Sequence, residues 1–181
     1  MTRIQGPGRS RAVLAAAVLA AAALAAGACG YRLRGTGSSL PPHVRTMCVP
    51  MFKNQTTRFE LDVKLTRAVI NEFVARGKVA VTADPAASDA VLEGAITSFS
   101  ARPIGFSAAN QADKYSVTVT AKVTLADRAS GRALYANPSF VYQQDYDVPP
   151  GSNFESLEAE AIDRIAALFA RSLVAAVLEG F

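Results

Sequence analysis

The catalytic inventory of this 181-residue sequence is thin, with one histidine and two cysteines, and spacing narrows the field further. His43 is the one histidine, so a Ser-His-Asp relay would have to run through it. It stands directly after Pro41-Pro42, where a solvated loop side chain is expected. Asp145 and Asp147 flank Tyr146. At i and i+2 of a strand they share a face, which suits a pair of catalytic carboxylates and equally a pair of solvated rim charges. Cys48 lies in the apolar run Val44–Phe52 and reads as a core residue. No Cys/His spacing matches a zinc site, and no glycine-rich turn between strand and helix could cradle a phosphate, so neither metal nor cofactor is expected. The inventory points to a binding or structural protein, with a hydrolase built on His43, Asp145 or Asp147 as the rival.

The other cysteine invites a different chemistry. Arg3, Arg9 and Arg11 precede an uncharged Ala/Val/Leu run from Ala12 to Ala28 that ends in small residues, the layout of an export signal. Its 17 residues fall short of a comfortable span of a hydrocarbon core of roughly 30 Å, which favours cleavage over a permanent helix. Cys29 follows directly, and Leu24-Ala25-Ala26-Gly27-Ala28-Cys29 resembles a lipobox, with Ala26 where Leu usually stands. In that reading residues 1–28 are cleaved. The Cys29 thiol takes a diacylglycerol and its new amino group an acyl chain such as palmitate. Each buried CH₂ then adds about 0.8 kcal/mol of membrane affinity. Gly30 rather than Asp after the cysteine resembles outer-membrane sorting. The alternative is an ordinary signal peptide with Cys29 free or bridged to Cys48.

Losing residues 1–28 removes three arginines and leaves 16 basic against 15 acidic residues, a net charge of +1. Nucleic acid is therefore not an expected partner. Residues 29–42, rich in Gly, Ser and Pro, read as a tether, and 43–181 as a single domain large enough for a disulfide-free core.

Within that domain the patterning predicts the order β-α-β-β-β-β-α. Val44–Phe52 reads as a first strand. Thr57 and Glu60 suggest a capping box for an amphipathic helix that buries Leu61, Leu65, Ala68, Val69 and Phe73 and stops at Gly77. Val79–Thr82 follows as a strand parallel to the first. Ala90–Ser100 reads as a strand with a bulge at Gly94, and Arg102–Asp113 as a loop. Tyr115 to Leu125 alternates apolar and polar residues at a period of two, giving one dry face and one Ser/Thr/Lys face. Asp127–Arg132 makes a hairpin turn into an edge strand, Ala133–Asp147, interrupted at Pro138. Ser152 and Glu155 suggest a second capping box for a terminal helix whose apolar end, Leu173–Leu178, is expected to pack on the sheet, with a partner contact as the alternative. The expected fold is α+β: a two-layer sandwich with a mainly antiparallel, four- to five-stranded sheet and both helices on the Tyr115/Val117 face.

Cys29-Gly30-Tyr31-Arg32-Leu33-Arg34-Gly35 resembles the mature start of the LptE family of lipopolysaccharide-assembly outer-membrane lipoproteins. Leu40-Pro41, Pro50–Thr56 and Tyr115-Ser116-Val117 are similar to its landmarks, in order, across most of residues 29–175. The resemblance implies two helices on a small sheet, a lipid anchor at Cys29 in the outer membrane, and a β-barrel partner, LptD. The domain would plug that barrel from the periplasmic side while lipopolysaccharide passes to the cell surface. Family members are thought to touch lipopolysaccharide through basic residues at one end of the sheet. Here the loop 105–113 has no arginine, and Arg102 and Lys114 beside it are the candidates. The alternative is a periplasm-facing lipoprotein that binds a lipid or an envelope transporter, for which a closed apolar pocket between sheet and helices is expected.

Overall fold

In a computed structural model the chain is described at residues 40–108, 110–149, 152 and 154–180. The expected signal, residues 1–28, and nearly all of the tether lie outside those residues. Among these residues six strands and two α-helices follow in the order β1 (Thr46–Cys48), β2 (Lys53–Asn54), α1 (Leu61–Arg76), β3 (Ala80–Thr82), β4 (Ala90–Phe106), β5 (Ala112–Asp127), β6 (Ala133–Asp147) and α2 (Phe154–Glu179). The fold is α+β with one open, mixed sheet in the order β3-β1-β4-β5-β6, and β2 also pairs with β4.

The sheet departs from the mainly antiparallel, four- to five-stranded one expected. Only β4-β5-β6 is an antiparallel meander, while β3-β1, β1-β4 and β2-β4 are parallel. Of the first strand expected over Val44–Phe52 only Thr46–Cys48 forms, and a second short strand, β2, follows beyond it at Lys53–Asn54. β1 lies beside Ala90-Val91 and β2 beside Ala95-Ile96 on the same flank of β4. Between them stands Pro50, which has no N–H to give a ladder, and the Phe52 N–H donates instead to Thr66 Oγ1 of α1 at 3.0 Å.

Helix α1 ends as expected: Gly77 adopts φ +60°, and its N–H reaches the carbonyls of Phe73 and Val74. Its start corrects the proposed capping box. Glu60 occupies the N-cap in a left-handed conformation, φ 58°, without a side-chain cap bond. Asn54 organises the turn: its Oδ1 accepts from the Thr56 N–H at 3.0 Å and its Nδ2 donates to the Arg58 carbonyl at 2.7 Å. The second proposed capping box rests on the Glu155 side chain, which lies outside the described ones.

β4 and β5 also run further than expected. The loop read at Arg102–Asp113 shrinks to Ser107–Gln111, because register shifts around Pro103 and Gly105 absorb the residues that looked like strand breakers. The bulge expected at Gly94 falls instead at Thr97. Gly94 serves a close approach: a Cβ there would stand 2.6 Å from the Phe52 ring.

The dry face of β5 is the predicted one, with Val117, Val119, Ala121, Val123 and Leu125 all buried. Helix α2 packs over β5 and β6, and α1 over β2 and β3. Tyr115 stacks on Phe154 at 4.7 Å between ring centroids, and Phe140 meets Phe169 edge-on at 5.3 Å. The apolar end of α2 packs inward, with Leu173, Val174, Val177 and Leu178 in the core.

Candidate functional site

The face of the meander turned away from the helices is built by the same alternation that buries β5. Ser116, Thr118, Thr120, Lys122 and Thr124 project from its middle strand. Ser100 and Arg102 of β4 lie opposite Thr118 and Ser116, and Gln143 and Asp145 of β6 lie opposite the same two residues from the other side. Gln143 Nε2 donates to Ser116 Oγ at 2.9 Å. Hydroxyls, amides and scattered charges give this surface many hydrogen-bonding groups and little apolar area. Val141, 55% exposed, is an exception.

The two residues proposed for lipopolysaccharide contact lie at the far end of this face, and both are in strands rather than in a loop. Arg102 is exposed and pairs in register with Ser116. Lys114 Nζ stands 3.8 Å from both Asp145 Oδ2 and Asp147 Oδ1. The carboxylate pair and the cation therefore form one exposed cluster, in which Lys114 offsets part of the acidic charge. Beyond it the hairpin tip carries Ile104 and Phe106, 51% and 60% exposed. Cys29, the proposed attachment point, lies outside the described residues.

At the opposite end of the sheet, His43 meets a partner that its sequence neighbours do not announce. Its Nε2 stands 3.3 Å from Asp127 Oδ1, across 84 residues of chain. Asp127 closes β5 and caps the turn: its Oδ1 accepts from the Ala129 N–H at 3.0 Å and its Oδ2 from the Ser130 hydroxyl at 2.6 Å. That hydroxyl, more than the neighbouring imidazole, holds the Asp127 carboxyl below the usual carboxylate range. Ser130 and His43 both converge on the aspartate, whereas a nucleophile relay needs the imidazole in the middle. Asp89 repeats the pattern nearby. Its Oδ2 accepts the backbone N–H groups of Arg45 and Thr46 at 2.9 and 2.8 Å and the Thr46 hydroxyl at 2.8 Å, and these bonds, the Arg45 N–H foremost, lower its pKa. Both aspartates act as clasps. Asp89 ties the start of β1 to the start of β4, and Asp127 ties the β5-β6 turn to the entering chain.

Cys48 is a buried free thiol whose pKa burial pushes up, as suits a core residue. Among the described residues no group of three or more His, Cys, Asp or Glu stands together as a metal site. Sequence reasoning located the polar face and the Asp145/Asp147 pair. It missed both clasps, whose partners lie tens of residues apart; only the turn-forming Asp-x-x-Ser-Gly pattern hinted at Asp127.

Comparison with known proteins places this architecture. A hypothetical protein of Chlamydia trachomatis shares the fold with a TM-score of 0.53 at 10% identity, over 76% of this chain and 97% of that one. A protein of Xanthomonas campestris aligns at TM-score 0.49 and 15% identity, over 77% and 90% of the two chains. A minor lipoprotein of Acinetobacter baumannii aligns at 0.43 and 13%, over 76% and 92%. A search of curated proteins found no match. The family profile for LptE, described as lipopolysaccharide-assembly, matches residues 44–177, from the residue that enters β1 almost to the end of α2. On that match the chain belongs to the LptE lipopolysaccharide-assembly family.

Proposed function

We propose that this protein is a non-enzymatic outer-membrane lipoprotein, acylated at Cys29, whose domain enters the lumen of an LptD-type β-barrel from the periplasmic side and supports lipopolysaccharide delivery to the cell surface. The observation that carries the reading is the polar outer face of the meander. Barrel interiors are polar, and a plug needs hydrogen-bonding groups rather than a dry patch. Its length also suits the role: β4 has 17 residues and extends about 55 Å at roughly 3.3 Å per residue, enough to cross a membrane of about 40–45 Å. In this placement Arg102 and Lys114 are the groups that meet lipopolysaccharide.

The lipid- or transporter-binding alternative asked for a closed apolar pocket between sheet and helices. That interface is filled by Leu92, Leu125, Phe73 and Phe169, each at 0% exposure, which favours the plug.

Solubilising membranes in mild detergent and isolating the protein should bring down one large β-barrel in near-stoichiometric amount. Cys29→Ser should abolish palmitate labelling and that association. Isolation without a barrel would reject the proposal.

A further inference from the structure

Between α1 and α2 lies a groove of about 580 Å³. Its floor is low because Ala68, Ala166 and Ala167 stand where longer side chains would fill it. Most of the charges that line it are already matched: Lys64 Nζ meets Asp163 Oδ1 at 2.6 Å, and the Glu72 carboxylate is held by Arg76 at 2.8 Å. Arg67 and Arg171 remain, one from each helix, both exposed, and among the described residues neither has a carboxylate partner. Asn71, one turn beyond Arg67, adds an exposed carboxamide to the same wall. The groove is therefore cationic, and its surplus sits in two guanidinium groups on opposite sides.

The pairings Arg58–Glu158 and Lys64–Asp163 show that the helices run parallel. From the Lys64–Asp163 level Arg67 lies three residues on and Arg171 eight, an axial offset of about 7 Å at roughly 1.5 Å per residue. Packed helices stand about 8–10 Å apart, so the two Cα atoms are separated by about 11–12 Å across the groove. Two arginine side chains reach across such a gap and meet on one anion between them. A carboxylate has two oxygens in one plane, which a single guanidinium fork satisfies. A phosphate is tetrahedral and offers oxygens to both sides, and as a monoester it carries about −1.5 to −2 charges at pH 7, a match for two guanidiniums. We infer that the groove binds a phosphate monoester, gripped from opposite sides by Arg67 and Arg171, with the Asn71 amide as a third donor. The phosphate fills a small part of the volume, and the alanine-floored remainder takes the group esterified to it. The site lies on the helical layer, apart from Arg102 and Lys114 on the sheet, and holds whether or not the domain plugs a barrel.

The test is calorimetric titration of the full-length protein, purified from membranes in a neutral detergent, with glycerol 3-phosphate, dimethyl phosphate and acetate at fixed ionic strength. Glycerol 3-phosphate should bind at least tenfold more tightly than the singly charged diester or the carboxylate. Arg67→Gln with Arg171→Gln should weaken it at least tenfold at an unchanged thermal midpoint. Lys53→Gln with Lys122→Gln, which removes the same charge from the sheet face, should leave it as it was. A parallel titration with detergent micelles carrying phosphatidic acid separates the sources. Tighter binding there, lost in the double arginine variant, assigns the site to a lipid headgroup, and equal binding assigns it to a soluble phosphate ester. Equal affinity for all three anions, affinity indifferent to the arginine pair, or an equal loss on removing the two lysines would overturn the inference.

Discussion

Gly94 shows how one missing side chain positions three elements. The Phe52 ring lies where its Cβ would be, and Phe52 is fixed in turn by the bond from its N–H to Thr66 of α1. Gly94→Ala should therefore force the ring aside and destabilise the domain by about 1–3 kcal/mol, read from urea unfolding. Wild-type stability in that variant would mean the ring yields freely. The clasp aspartates make a prediction about acid. Their folded-state pKa values are lowered, so the ionised forms support the fold above the unfolded value of about 3.9, and that support is lost as pH falls through the folded values. Circular dichroism should record an unfolding limb below about pH 4. Asp89→Asn should lower the thermal midpoint at pH 7 and flatten that limb, and an unchanged limb would remove Asp89 from this role.

At the level of elements, what could be read from the chain divides by the range of the interactions that decide it. The dry face of β5 was legible because a period of two needs no information beyond the strand itself, and the end of α1 because Gly77 acts on its own turn. Replacing Gly77 by Ala, at φ +60°, should lower stability by about 1 kcal/mol in thermal denaturation, and a neutral result would show that the turn has another way to close. The start of α1 was misread because Thr57 and Glu60 satisfy a local rule that Asn54 overrides through its bonds to Thr56 and Arg58. The parallel placement of β1 beside β4 was hidden altogether. It depends on Asp89 reaching Arg45 and Thr46 more than forty residues away. Pro103 and Gly105 misled in the opposite direction, since a hairpin that shifts register tolerates residues that would end a flat strand.

For the whole molecule, the two layers are joined through a core of aromatic and aliphatic contacts. Phe169→Ala, which removes a ring at 0% exposure and its edge-on contact with Phe140, should lower global stability by about 3–5 kcal/mol in equilibrium unfolding. A loss below 1 kcal/mol would mean that α2 is not integral to the fold. The candidate site was legible only as a surface. Ser116 to Thr124 announced a polar face, but how its charges offset one another became visible only once Lys114 was seen between Asp145 and Asp147.

The short β1, three residues wedged between β3 and β4, is the first strand of the domain in sequence. A pull applied from the amino-terminal side therefore loads this small ladder before it reaches the long meander. In single-molecule stretching from the amino-terminal side, an early low-force rupture should free β1, while β4, β5 and β6 yield later at higher force. A lone high-force event would mean that the load is shared. On this account the fold has a built-in weak link: a jolt from its amino-terminal side would peel off the first strands and leave the hairpins intact.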